Sequence, residues 1–170
     1  MLMLKNIKHA SAVRVEGRTE DIEVMLDNGN MLFSQVKSVS SPHDDFSNVI
    51  SKLKDSLRTL NAASTAPEVE RLIYISNSPN PFNDKTTMGA FSGGLTILDY
   101  DDLPSACKQK IEDICAAEQF TFDRKLFSVF VMQFHGNTEN RYKIIKDLTN
   151  EFLNSLGLGD RGLGANLLAL

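Results

Sequence analysis

Three residues in the first quarter of the chain combine types that could do chemistry: Asp21, and Gln35 and Lys37 on either side of Val36. A carboxylate and an amide supply hard oxygen donors of the kind that hold Mg²⁺. An ammonium beside them can stabilise a developing anionic phosphorane or orient a water. The reaction such a set performs is metal-assisted hydrolysis of a phosphodiester. The same residues also have a plainer use, because opposite charges on a solvated hairpin face pair across strands for a few tenths of a kcal/mol each.

Whether these residues meet depends on the stretch from Glu20 to Lys37, EDIEVMLDNGNMLFSQVK. Asp27-Asn28-Gly29-Asn30 is turn chemistry between two apolar-rich runs, which predicts two strands joined by a tight turn. A two-residue Asn28-Gly29 loop would put Ile22, Val24 and Leu26 on the face opposite Leu32 and Val36. A three-residue loop, Asn28-Gly29-Asn30, pairs Asp27 with Met31 and gathers all five on one face. Side-chain alternation therefore selects the three-residue loop, with glycine or asparagine at positive φ. In that register, on the other face and far from the turn, Asp21 lies opposite Lys37 and Glu23 opposite Gln35.

The order of an Asp, a turn-length gap and then Gln-x-Lys resembles the Asp…(Asp/Glu/Gln)-x-Lys signature of restriction-endonuclease-like nucleases. These form the PD-(D/E)xK superfamily, and the likeness is to its Gln-x-Lys variant. EDIEV followed by SQVKS looks most like the double-stranded-DNA endonuclease domains of bacterial anti-phage (CBASS-type) effectors, relatives of the Mrr-type nucleases. The resemblance runs from Val13 to roughly Asp84. It implies Asp21 as a metal ligand, Gln35 in place of the second acid, Lys37 as the catalytic lysine and the backbone carbonyl of Val36 as a further ligand. It also implies Mg²⁺ or Mn²⁺ as cofactor and DNA as substrate; it assigns no role to Glu23. Relatives usually carry a helix before the first strand whose glutamate completes the metal site. Here about ten residues precede that strand and none is acidic. Either that helix is absent, or the chain is truncated at its start, or Glu16 or Glu20, flanking Gly17-Arg18-Thr19, substitutes.

The remaining elements form the scaffold. Ser11–Glu16 alternates as a first strand. After Lys37 a polar loop carries His43, a group more often solvated than catalytic, and Asp44 or Asp45 caps a helix to about Ala62. Its stripe is Phe46, Val49, Ile50, Leu53, Leu57 and Leu60, while Lys52, Lys54 and Arg58 read as a solvated face rather than phosphate contacts. Arg71–Ser76 is a buried-type strand, and the NSPNPF loop after it, from Asn77 to Phe82, resembles the post-strand loop of the same nucleases. By their residue types its asparagines are expected to satisfy their own backbone. Leu95–Leu98 is a short strand, Asp102 and Pro104 signal a helix to about Glu118, and Leu126–Phe134 is a strongly apolar strand whose phenylalanines belong to a core. A last helix, capped by Asn137 or Thr138, carries the stripe Tyr142, Ile145, Leu148, Phe152 and Leu156 and stops at Gly157.

Three strands, helix, strand, strand, helix, strand, helix is α/β (α+β) with a mixed sheet flanked by helices. Residues 1–157 are expected to form one domain, and 158–170 a glycine-rich tail or linker into further chain. A net charge of −4 lacks the basic excess usual for nucleic-acid binders, though a metal can neutralise local carboxylates and engage phosphate. Cys107 and Cys115, about two helical turns apart, are beyond disulfide reach and suit a reducing, cytoplasmic setting. No run reaches membrane-spanning length.

Three readings follow. One is a metal-dependent DNA endonuclease domain within a larger anti-phage effector or a homo-oligomer. The second is a catalytically degenerate nuclease-fold module used for binding or dimerisation. The third is a metal-free domain whose hairpin charges are simply paired.

Overall fold

The structure, a computed structural model, describes residues 9–16, 21–39, 46, 48–92, 95–132 and 138–155. His43, Asp44, Asp45, Glu20, Asn137, Gly157 and the tail from 158 lie outside them. The elements in chain order are β1 (Ala10–Val15), β2 (Ile22–Leu26), β3 (Met31–Lys37), α1 (Val49–Ala63), β4 (Val69–Ser76), β5 (Leu95–Asp99), α2 (Ser105–Glu118), β6 (Phe127–Met132) and α3 (Thr138–Ser155). This is the expected order. The strands form one mixed sheet in the order β1-β2-β3-β4-β6-β5. β1, β2 and β3 are antiparallel neighbours, β3, β4 and β6 run parallel, and β5 pairs antiparallel at the edge. His9–Gln133 forms one compact unit, and α3 belongs to a second.

A parallel pair such as β3 and β4 needs a crossover, and α1 supplies it. Its apolar positions Val49, Leu53, Leu57 and Leu60 recur at helical spacing and are all buried. Each of the fully buried leucines contributes about 1.5–3 kcal/mol relative to leaving it in water. The helix closes with the Ser64 N–H on the Leu60 and Ala62 carbonyls, and Pro67 bars its continuation. It begins at Val49 with Asn48 at its N-cap and no side-chain cap bond. α2 ends with Gln119 left-handed at φ 60° and the Phe120 N–H on the Cys115 carbonyl at 2.9 Å, a Schellman-type stop.

Phe33, Leu72, Tyr74, Phe127, Val129 and Val131 share the sheet face that packs against Leu53, Leu57 and Leu60 of α1 and Cys107, Ile111 and Cys115 of α2. Both cysteines are buried and free, and burial pushes both thiols up. Phe122 also joins this core, which accounts for most of the phenylalanines in that region without nucleic-acid stacking. The opposite face is buried too, through Val24, Leu32, Ile73, Ile75 and Phe130. A two-sided sheet of this kind gives near-continuous apolar strands such as β4 and β6.

In α3 the expected apolar stripe fails at its N-terminal half, where Tyr142 and Ile145 are exposed. Leu153, near the C-terminal end of the same helix, is buried.

Candidate functional site

The hairpin that carries the candidate residues has a three-residue loop, one position earlier than the expected one. The Leu26 N–H bonds the Asn30 carbonyl at 2.8 Å, and the Gly29 N–H bonds the Leu26 carbonyl at 3.0 Å, so the loop is Asp27-Asn28-Gly29. Gly29 sits at φ +87° as its last residue. This is a type I turn followed by a left-handed glycine, the usual build of such loops. The Asn28 side chain caps it by accepting the Asn30 N–H at 2.9 Å, and Asn30 reaches Glu70 at 2.9 Å.

Moving the loop by one residue moves the pairing by two. Met25 now faces Met31, Val24 faces Leu32, Glu23 faces Phe33 and Ile22 faces Ser34. The expected pairs Asp27 with Met31, Asp21 with Lys37 and Glu23 with Gln35 are therefore replaced. A shift of two leaves every side chain on its face, so Ile22, Val24, Leu26, Leu32 and Val36 still share one. Val24, Leu26 and Leu32 are buried and Ile22 half-buried, but Val36 is 39% exposed. β2 pairing ends at Ile22 with Ser34, so Val36 projects past the end of that strand. On the other face Glu23, Phe33 and Gln35 are buried, whereas Met25 is exposed.

The new register brings Asp21 to Gln35. Asp21 occupies the bend just before β2, and its Oδ2 accepts from the Gln35 side-chain amide and from the Val36 N–H, the latter at 2.7 Å. Bonds to an ionised acceptor are about twice as strong as neutral ones, so this pair of donors holds the carboxylate in place. A strand residue's N–H and C=O point to the same edge. The Val36 carbonyl therefore also leaves β3 on the Asp21 side, outside the β3–β4 ladder. Lys37 follows on the Gln35 face, level with Ser76 of β4, and its ammonium makes no ion pair or hydrogen bond among the described residues. Asp21, Gln35 and the Val36 backbone thus meet at the end of the hairpin away from its turn, with Lys37 the next residue on the Gln35 face.

Glu16 is beside them through its backbone, since its N–H bonds the Asp21 carbonyl at 2.8 Å. It sits at φ 54°, which turns the chain at the end of β1. Glu23 is committed elsewhere, to Arg14 at 3.1 Å, in a depression of about 190 Å³ that Met25 and Met31 also line. Oxygen donors from Asp21, the Gln35 amide and the Val36 carbonyl suit a hard divalent cation. Among the described residues no group of three or more acidic, histidine or cysteine side chains is gathered for a metal. Among them Asp21 is the one carboxylate that this geometry places centrally.

Several neighbours were not legible in the sequence. Tyr74 stands beside Gln35 in the parallel register; burial, opposed by its bond with Ser76, pushes its phenol up to about 12. It belongs to the buried core beneath the sheet. Asn77, expected to satisfy its own backbone, instead grips Val39: its Oδ1 accepts the Val39 N–H at 2.7 Å and its Nδ2 donates to the Val39 carbonyl at 2.9 Å. Asn80 does serve its own loop, accepting the Asp84 N–H at 2.7 Å.

The cations of α1 lie on an exposed face, as expected, and are ion-paired or hydrogen-bonded there. Lys54 and Arg58 both pair with Glu118, at 2.6 and 3.2 Å, and Lys52 donates to the Ser38 carbonyl. They tie α1 to α2 and to the exit of β3. Among the described residues no helix is long and apolar enough to cross a membrane. No protein-family model, curated protein or solved structure matches this chain.

Proposed function

We propose that this chain is a metal-dependent DNA endonuclease domain of the restriction-endonuclease-like kind, acting in the cytoplasm as part of an anti-phage effector. The observation that supports this most is the meeting of Asp21 with the Gln35 amide and the Val36 backbone, with Lys37 next on the same face. The resemblance in Asp…Gln-x-Lys needs these residues together, and the fold is the mixed sheet with flanking helix that it implies.

In this reading Asp21, the Gln35 amide oxygen and the Val36 carbonyl hold Mg²⁺ or Mn²⁺, with Glu16 or Glu20 as a further acid. Bound there, the cation supplies a nucleophilic water and Lewis-acid activation of the scissile phosphate. Gln35 turns its amide so that oxygen rather than nitrogen meets the cation, a reversal of two nearly isosteric ends. Asp21 keeps the Val36 N–H bond and so stays oriented. Lys37 places a compact ammonium near the attacking water and stabilises charge developing on the phosphate oxygens. The buried Tyr74 phenol and the apolar core beneath keep the floor of the site dry, which strengthens those interactions.

A second reading has a specific observation in its favour. Among the described residues Asp21 is the one central carboxylate, and the net charge is −4, as suits a catalytically degenerate module that binds a partner or dimerises. Incubating the full chain with supercoiled plasmid and Mg²⁺ separates the two. The endonuclease nicks or linearises DNA and is silenced by EDTA. The degenerate module leaves the plasmid intact at any Mg²⁺ concentration.

A further inference from the structure

We propose that Asn77 is a positioning residue for Lys37, acting through the backbone that follows the lysine; the proposal rests on the endonuclease reading above. The β3–β4 ladder ends at the pair Lys37 with Ser76. One residue beyond, the Asn77 side chain takes the place of a strand. Its amide is the same chemical group as a peptide, and it makes both bonds a peptide would, accepting the Val39 N–H at 2.7 Å and donating to the Val39 carbonyl at 2.9 Å. From the other side, Lys52 of α1 donates to the Ser38 carbonyl. The two residues after Lys37 are thus pinned from β4 and from α1.

Lys37 needs such pinning. Its ammonium has no partner among the described residues, so only its backbone and rotamer decide where the charge stands. Gln35, one residue pair earlier, is held directly by Asp21. Val36 is held by its N–H on the same carboxylate. Without Asn77 the last rung of the ladder, Lys37 with Ser76, would be the free end of the strand, with the Lys52 bond to Ser38 alone holding the chain beyond it, at the one residue whose charge must meet the scissile phosphate. Misplacing a reacting group by about 1 Å costs on the order of a hundredfold in rate.

The test is Mg²⁺-dependent plasmid cleavage by the full chain as wild type, Asn77→Ala, Lys52→Met, Lys37→Ala and the Asn77→Ala/Lys37→Ala double variant. Asn77→Ala is expected to lower kcat on the order of ten- to a hundredfold while KM for DNA and affinity for Mn²⁺ stay within about twofold. A residue that merely stabilises the fold would lower apparent kcat only through the unfolded fraction, so kcat is taken per folded molecule, measured by circular dichroism, where such a residue leaves it unchanged. The double variant is expected to cleave no more slowly than Lys37→Ala alone, because the two residues act as one unit. Lys52→Met, a change at the solvent edge that leaves the core intact, is expected to lower kcat in the same sense. It keeps the proposal open to refutation where Asn77→Ala does not fold. Wild-type kcat in Asn77→Ala or in Lys52→Met beside an inactive Lys37→Ala overturns the proposal alone, as do losses that multiply in the double variant. Cleavage that survives Lys37→Ala, or a wild type that never cleaves, overturns the endonuclease reading itself.

Discussion

Placing an acid at position 35 is the perturbation whose energetics follow most closely from the structure. Gln35 is 5% exposed and its amide donates to Asp21. Gln35→Glu keeps size and shape but turns a donor into an anion facing an anion. The lost bond, made to a charged acceptor, is worth about 1.5–3 kcal/mol. Two unit charges about 4 Å apart repel by about 4 kcal/mol at an effective dielectric near 20. Protonating one carboxyl relieves the repulsion and lets an O–H···O bond form. Holding a glutamic acid neutral at pH 7, against an ordinary value of about 4.3, costs about 3.7 kcal/mol at most. The expected loss at pH 7 without metal is therefore about 2–4 kcal/mol.

The pH dependence gives the sign. The introduced carboxyl is raised in the folded state, so the penalty is absent below its unfolded value of about 4.3 and grows as pH climbs toward the raised one. Urea unfolding of wild type and Gln35→Glu at pH 4.5 and 7.5, in EDTA, should show the gap widening with pH. Millimolar Mg²⁺ should close it by binding the folded state. A gap that is equal at both pH values, and indifferent to Mg²⁺, would mean that position 35 does not face Asp21.

The other two follow from named contacts. Asp21→Asn should abolish Mn²⁺ binding, followed by isothermal titration, while unfolding stays cooperative; equal affinity in both proteins would take Asp21 out of the ligand set. Far from the site, the Tyr100 hydroxyl and then the Arg124 guanidinium hold the Glu112 carboxyl below its usual range. Its contribution is present above the unfolded value near about 4.3 and is lost as pH falls through the lower folded one. Thermal unfolding between pH 5 and pH 3 should thus fall less steeply in Glu112→Gln, and identical slopes would rule the network out as an acid-sensitive element.

Local patterning carried most of the fold, because apolar spacing is written into contiguous residues. The stripe from Val49 to Leu60 and the run from Phe127 to Val131 each announce their element. For the hairpin, alternation settled which residues share a face but not which residues pair, since pairings two apart satisfy it equally. The missing information lay in Gly29: a three-residue loop wants its left-handed residue last, and applying that rule places Asp21 beside Gln35 from sequence. Alternation also says nothing of whether the polar face is solvated or covered, and Phe33 on it packs against the leucines of α1. Asn77 was beyond reach for a related reason, as its partner Val39 is 38 residues away in sequence and no local signal marks a side chain that will stand in for a strand.

The central claim is that the Lys37 ammonium serves a reaction rather than a surface ion pair, and plasmid cleavage by Lys37→Ala beside wild type in Mg²⁺ tests it most directly. The reaction role predicts a variant that folds normally, still binds DNA and metal, and cleaves slower by on the order of a hundredfold or more. Lys37→Arg should fail as well, because a broad planar guanidinium cannot take the place of a compact ammonium beside a metal-bound water. A cleavage rate in Lys37→Ala within a few-fold of wild type would contradict the account.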